Sequence, residues 1–149
     1  MFSKACEYGI RAVLYLATRG QDQSNMSQKE ISRQVGSPEA FTGKILQKLK
    51  KSGIVKSIKG NSGGFCVDYS KLDEIRLIEI VDAIDGPQAY SGCIMGLSQC
   101  SDSKPCPIHH QYKSIKQDMI KMISNIKLSE MVRDEDSRKI YFHLQSNQQ

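Results

Sequence analysis

The chain has 149 residues, 39% hydrophobic and 25% charged, with a formal charge of +5, a composition that suits one soluble domain or a small domain plus an oligomerisation element. No apolar run approaches the roughly 20 residues needed to cross a bilayer, and polar and charged groups stand where a signal peptide would be greasy, so the chain reads as cytoplasmic and not membrane-borne. Residues 1–67 hold eleven Lys and Arg against four acids, a net +7, whereas residues 68–149 hold ten against twelve, a net −2. A basic excess confined to the first half favours nucleic acid as a partner, although an anionic membrane surface or plain solubility would also tolerate it. Five cysteines form an odd set in a chain without an export signal, which argues against a complete disulfide framework and for metal or redox chemistry.

Glu7 to Ala17 carries Tyr8, Val13, Leu14, Leu16 and Ala17 with Ile10 and Ala12 between them, the pattern of a helix buried on more than one side. Gly20 to Asn25 has no periodicity and reads as a loop. Ser27-Gln-Lys-Glu30 matches a capping box and opens a short helix to about Val35, which Gly36 ends in a left-handed conformation. Ser37 and Pro38 restart the chain as cap and first helical residue of a third helix that runs to about Lys51 and stops at Gly53. Two short helices joined by a glycine turn form a helix-turn-helix whose second helix is the candidate reader of the major groove. The start of that helix, Glu39, Ala40, Phe41, Thr42 and Lys44, is expected to reach base edges, with Ser27 beside it.

From Lys44 to Phe65 the chain sets down six lysines (Lys44, Lys48, Lys50, Lys51, Lys56 and Lys59) and no acid, while Ile45, Leu46, Leu49, Ile54, Val55 and Ile58 keep a buried side. Ile54 to Ile58 and Phe65 to Tyr69 are short β-prone runs around a glycine-bearing loop, hence an antiparallel hairpin or wing. Gly60, Asn61, Ser62 and Gly63 are expected to press into a groove, and the lysines to meet phosphates. Lys48, Lys50 and Lys51 cannot all point the same way on a helix, so some of these lysines are solvated bystanders.

Leu77 to Ile84 has helical apolar spacing and is broken at Asp85-Gly86-Pro87. The next stretch reads as loop to Pro107. Ile108 to Ile126 reads as one helix in which Ile108, Tyr112, Ile115, Met119, Met122 and Ile126 follow at steps of 4, 3, 4, 3 and 4, an unbroken heptad seam. The helices already placed can close the core of the winged domain, so the seam is expected to meet its copy in a homodimer. Leu128, Met131 and Val132 suggest a short packing helix. The expected architecture is mainly α with a small hairpin: a winged helix-turn-helix domain over residues 1–85, a cysteine-rich sensor loop over 86–107, a dimerisation helix over 108–132 and a flexible tail over 133–149. In that tail, residues 140–144 are an unexplained apolar island.

Cys93, Cys100 and Cys106 stand as Cys-x6-Cys-x5-Cys, followed by Pro-Ile-His109. Three thiolates and an imidazole suffice for zinc or an iron-sulfur cluster. The spacing is wider than the paired Cys-x2-Cys of zinc knuckles, which favours the larger inorganic object; a redox disulfide or idle thiols are the alternatives. Cys6 and Cys66 read as ordinary buried residues. No nucleophile-base pair, paired acids or nucleotide-binding glycine motif is present, so an enzyme acting on a small-molecule substrate is the least favoured reading.

Over residues 1–133 the chain resembles the Rrf family of bacterial winged-helix regulators. The resemblance rests on the opening run from Cys6-Glu-Tyr-Gly to Ala17, Phe41 to Gly53, the wing Lys59-Gly-Asn-Ser-Gly-Gly-Phe65, Glu79 to Asp85, the three cysteines and Leu128-Ser-Glu-Met131. It implies a transcriptional repressor that binds palindromic double-stranded DNA as a homodimer, with a redox- or nitric-oxide-sensing cluster beside the dimer helix. The family's fourth ligands differ. Cys106-Pro-Ile-His109 is similar to the Cys-x2-His of members with a [2Fe-2S] cluster, whereas Glu7 occupies the place of an acid that in other members reaches across the dimer to a [4Fe-4S] cluster. The six residues between Cys93 and Cys100, where five are usual, and Gly43, where some members have a base-selecting glutamate, are departures. A zinc-stabilised or cluster-free regulator that senses through thiols or a partner protein is the alternative.

Overall fold

A computed structural model describes residues 1–19, 22 and 24–133. The described residues form seven α-helices and one hairpin: α1 (Lys4–Arg19), α2 (Gln28–Val35), α3 (Glu39–Lys51), β1 (Lys56–Ile58), β2 (Gly64–Cys66), α4 (Leu77–Ile84), α5 (Gln88–Ser91), α6 (His109–Asn125) and α7 (Leu128–Arg133). The expected tail and its apolar island fall, from residue 134 onward, outside the described residues.

The core is organised around α1, which touches α2, α3, α4, α7 and β2. Cys6, Ala12, Val13, Tyr15, Leu16 and Ala17 are buried, so two faces of α1 are covered, as its apolar pattern requires. Gly9 marks the closest approach: a Cβ there would lie 2.0 Å from Ile84 Cδ1 and 3.2 Å from Ile45 Cγ2, so its missing side chain lets α4 and α3 pack against α1.

The caps differ from their expected form. Ser27 Oγ accepts from Glu30 N at 3.2 Å, but the Glu30 carboxylate takes the Tyr15 hydroxyl at 3.1 Å instead of closing a capping box. Gly36 ends α2 at φ 71°, as expected. Ser37 does not cap α3; its hydroxyl pairs with that of buried Thr42, and Pro38 stands at the N-cap with no side-chain bond.

The hairpin is shorter than expected, with register Lys56↔Cys66, Ser57↔Phe65 and Ile58↔Gly64. Ile54 and Val55 are buried in the corner after α3, whereas Ile58 is half exposed, contrary to its expected buried side. Tyr69 opens a 3-10 turn, Tyr69–Lys71, instead of extending β2. The segment before α2 joins the wing: Met26 N donates to Phe65 O at 2.9 Å and Phe65 N to Met26 O at 2.8 Å. Gly64, at φ 146°, fits that junction, since a Cβ there would stand 2.6 Å from Met26 O.

The stretch expected as continuous loop before Pro107 contains α5, whereas the helix expected over 108–126 and the short packing helix after it are both formed, as α6 and α7. After α6 the chain turns at Ile126, and Leu128 N donates to Ile75 O at 2.8 Å. Leu128 and Val132 on α7 thereby join the core around α1, while α6 lies outside it. Only His109 and Ile123 on α6 are buried.

Candidate nucleic-acid interface and cysteine loop

The basic half of the chain concentrates on α3 and the wing. On α3, Glu39, Ala40, Lys44, Gln47, Lys50 and Lys51 are exposed, and Ile45, Leu46 and Leu49 hold the opposite face in the core. Thr42 is turned inward at 1% exposure and bonds Pro38 O at 3.1 Å, so it is withdrawn from any base edge. The Phe41 ring packs edge-on against Tyr8 of α1 at 6.0 Å between centroids. Lys48 donates to Ile84 O at 2.9 Å and Lys56 pairs with Asp68 at 2.8 Å, so both expected phosphate ligands have partners within the chain. Among the described residues, no carboxylate is ion-paired with Lys44, Lys50, Lys51 or Lys59.

At the wing tip Gly60, Asn61 and Ser62 are exposed. Asn25 Nδ2 donates to Ser62 O at 3.2 Å and moors the tip to the loop before α2. A Cβ at Gly63 would lie 2.1 Å from Ile58 O, so this glycine is required by the hairpin's own turn. Ser27 is spent on its cap.

The cysteine loop is moored to the first turn of α6. His109 is 3% exposed; its Nε2 lies 2.8 Å from Asp102 Oδ1 and its Nδ1 3.6 Å from Cys100 Sγ. Lys113, one turn on, grips both Asp102 oxygens at 2.8 and 2.7 Å, and these bonds, with that of His109, hold the Asp102 carboxyl at about 2. The backbone amides of Met95 and Leu97 bond the Cys93 sulfur and, with help from the Cys106 thiol and Lys116, hold the Cys93 thiol below its ordinary range. Burial pushes Cys6 up to about 12, an inert core thiol as expected. Cys66 is half-buried.

Of these donors Cys100 and His109 stand side by side at 3.6 Å, and the Cys106 thiol is among the groups that lower the Cys93 thiol. Among the described residues no three His, Cys, Asp or Glu side chains converge as a metal-ion set. Glu7 is ion-paired with Lys4 at 2.8 Å. The donor chemistry nonetheless fits an iron-sulfur cluster or zinc: three thiols and an imidazole whose far nitrogen a carboxylate orients. Asp102 and Lys113 escaped the sequence reading because neither belongs to the Cys and His pattern. A carboxylate seven residues before His109 in an irregular loop carries no periodic signal.

The seam residues of α6 are arranged as a stripe on the outside of the chain. Ile108, Ile115 and Met122 are 42%, 63% and 57% exposed, and Tyr112, Met119 and Ile126 are half-buried beside them. No helix among the described residues is long and apolar enough to cross a membrane.

A helix-turn-helix followed by a two-stranded wing, on a mainly helical scaffold, defines a winged-helix DNA-binding regulator. The chain belongs to the Rrf2 family, described as iron-dependent transcriptional regulators, whose family model matches residues 2–134. Among curated relatives, a putative HTH-type transcriptional regulator of Aquifex aeolicus is 26% identical over 138 residues, covering 91% of this chain and 94% of the relative. The HTH-type transcriptional regulator IscR of Yersinia pseudotuberculosis is 24% identical over 129 residues, covering 87% and 77%. Among solved structures, CymR, the global cysteine regulator of B. subtilis, matches with a TM-score of 0.74 at 20% identity over 89% of this chain and 96% of that one. T. potens IscR matches with a TM-score of 0.68 at 21% identity over 90% and 87%. The family and these relatives are transcriptional regulators, not enzymes.

Proposed function

We propose that the protein is a homodimeric repressor whose hold on a palindromic operator is set by an iron-sulfur cluster on the cysteine loop. The observation that carries this reading is the mooring of the loop through His109, which joins Cys100 to Asp102 and, through Asp102, to Lys113 on the next turn of α6. A change in ligation or oxidation at Cys100 thereby acts on the helix that carries the exposed stripe of Ile108, Ile115 and Met122. If two copies pair along that stripe, a movement of α6 changes the separation of two α3 helices, and two half-sites are held together only at the matching separation.

In this reading Lys44, Lys51 and Lys59 contact phosphates, Ala40 faces base edges, and Asn61 and Ser62 on the wing follow the minor groove. Cys93, Cys100 and Cys106 would hold the cluster, with His109 through Nδ1 or Glu7 from a second subunit as fourth ligand. When bound, the cluster would supply a centre that oxidants or nitric oxide can alter. Anaerobic purification with visible spectroscopy and duplex-binding assays tests the proposal. A brown protein whose operator affinity changes when the cluster is lost is expected; a strictly monomeric protein indifferent to duplex DNA would overturn it.

A second reading is a cluster-free thiol switch, favoured by the free thiols of Cys93, Cys100 and Cys106 on one loop, with the Cys93 thiol held below its ordinary range. Two thiols of one loop can close to a disulfide under a peroxide-class oxidant, which takes up the two electrons, and a lowered thiol is the one that attacks. A colourless protein that binds operator, and in which peptide mapping finds a Cys93–Cys106 disulfide after oxidation, would favour this reading; stoichiometric zinc would favour a structural metal.

A further inference from the structure

We propose that Gln28 is a specificity-determining residue: its carboxamide lies over Gly43 of the recognition helix and reads one base pair in each half-site. The proposal deepens the DNA-binding reading and rests on it.

Gln28 is the first residue of α2, directly after the Ser27 cap. Its Nε2 donates to the backbone carbonyl of Glu39, the first residue of α3, at 2.9 Å. A Cβ at Gly43 would stand 2.7 Å from Gln28 Nε2 and 2.9 Å from both Cδ and Oε1. The whole amide plane is therefore laid against α3 in the slot that the missing side chain at Gly43 leaves open. Glu39 and Gly43 are one turn apart on the same face, and Ala40 and Lys44 beside them are exposed. That is the face a groove-entering α3 presents to base edges, so the group standing over position 43 belongs to a neighbouring helix.

A carboxamide carries two N–H donors and one acceptor oxygen. One N–H is used on Glu39 O; among the described residues the second N–H and Oε1 have no partner. A donor and an acceptor side by side in one plane match the major-groove edge of adenine, with N7 accepting from Nε2 and the N6 amino group donating to Oε1. Because Glu39 and the helix surface already fix the side chain, docking freezes fewer rotamers than for a free glutamine. The chemistry selects an A·T pair with adenine toward Gln28. A purely structural role, a latch between α2 and α3, would instead affect all operators alike.

The test is cyclic selection of random-sequence duplexes by the full-length protein, purified anaerobically with the cofactor it carries, alongside Gln28→Ala and Gln28→Met. Methionine keeps the length of the side chain without the amide, and thermal melting checks that both variants fold. The wild type is expected to enrich a motif with an A·T pair at one position per half-site. Both variants are expected to lose about 5- to 150-fold discrimination at that position alone. Gly43→Ala, whose methyl group displaces the amide, should change the same position in the wild type and nothing further in the Gln28→Ala background. Retention of the same motif by both variants, or a uniform loss of affinity with an unchanged motif, would overturn the proposal while leaving the DNA-binding reading intact. If the wild type enriches no motif, the DNA-binding reading fails and this proposal fails with it.

Discussion

Lys48 Nζ on the recognition helix donates to the backbone carbonyl of Ile84, the last residue of α4, at 2.9 Å. The ammonium thereby sits at the negative pole of α4 and satisfies one of the carbonyls a helix leaves unpaired at its end. Lys48 is a brace between α3 and α4. Lys48→Met is expected to lower stability to urea by about 1 kcal/mol while leaving the salt dependence of duplex binding unchanged. A fall of about 0.9 in the slope of log K against log salt would return Lys48 to the phosphate backbone.

Lys44, Lys51 and Lys59 have the opposite character: exposed, and without an ion-paired carboxylate among the described residues. Each phosphate contact releases counterions, so alanine at any one of them should reduce the salt slope by roughly 0.9 and weaken related operators to a similar degree. Binding measured over a salt series checks this. A variant that changes sequence preference and leaves the slope alone would make its lysine a base reader instead.

What was legible in the sequence is what local chemistry enforces. Gly36 ends α2 because the chain there adopts φ 71°, and the α6 stripe was readable because a 3.5-residue apolar repeat has one geometric meaning. What escaped was set by side-chain contacts that no periodic pattern marks. The capping-box pattern at Ser27 and Glu30 was only half realised because the Tyr15 hydroxyl, fifteen residues earlier, competes for the same carboxylate. Thr42 lies one residue from exposed Phe41, and the pairing of its hydroxyl with Ser37 turned it inward, which composition does not reveal. Gln28 was invisible as a site residue because its significance depends on an atom that Gly43 lacks. The cysteine spacing was legible, but Asp102 and Lys113, which tie the loop to α6 through His109, carried no pattern.

The wing has its own pH signature. Hydrogen bonds from Lys56 and Ser70 hold the Asp68 carboxyl well below the usual carboxylate range. A group whose folded pKa is depressed contributes stability above its unfolded value, near 3.9, and loses it as pH falls toward the folded value. The hairpin should therefore keep its Lys56–Asp68 tie through mildly acidic solution and lose it only in strong acid. An NMR titration of the Asp68 carboxyl carbon should show a midpoint below the ordinary one, moving upward in Lys56→Met. An ordinary midpoint in the wild type would mean that the pair does not persist in solution.

Ile115 and Ile123, eight residues apart on α6, separate folding from assembly. Ile115 is 63% exposed and Ile123 is fully buried. Ile123→Ala should cost about 2–5 kcal/mol, because it opens a cavity in the chain's own interior. Ile115→Glu should change the stability of the isolated chain by no more than about 0.5 kcal/mol, because it alters a solvated surface. If the stripe joins two copies, however, it places like charges on a two-fold seam. Burying an isoleucine stabilises by about 1.5–3 kcal/mol, so dimerisation should weaken about 10- to 150-fold or more, read by sedimentation equilibrium. Binding to a two-half-site duplex should fall in parallel and binding to a single half-site should not. If Ile115→Glu sediments as the wild type does, the exposed stripe is not the seam and the coupling of the cysteine loop to operator spacing loses its lever.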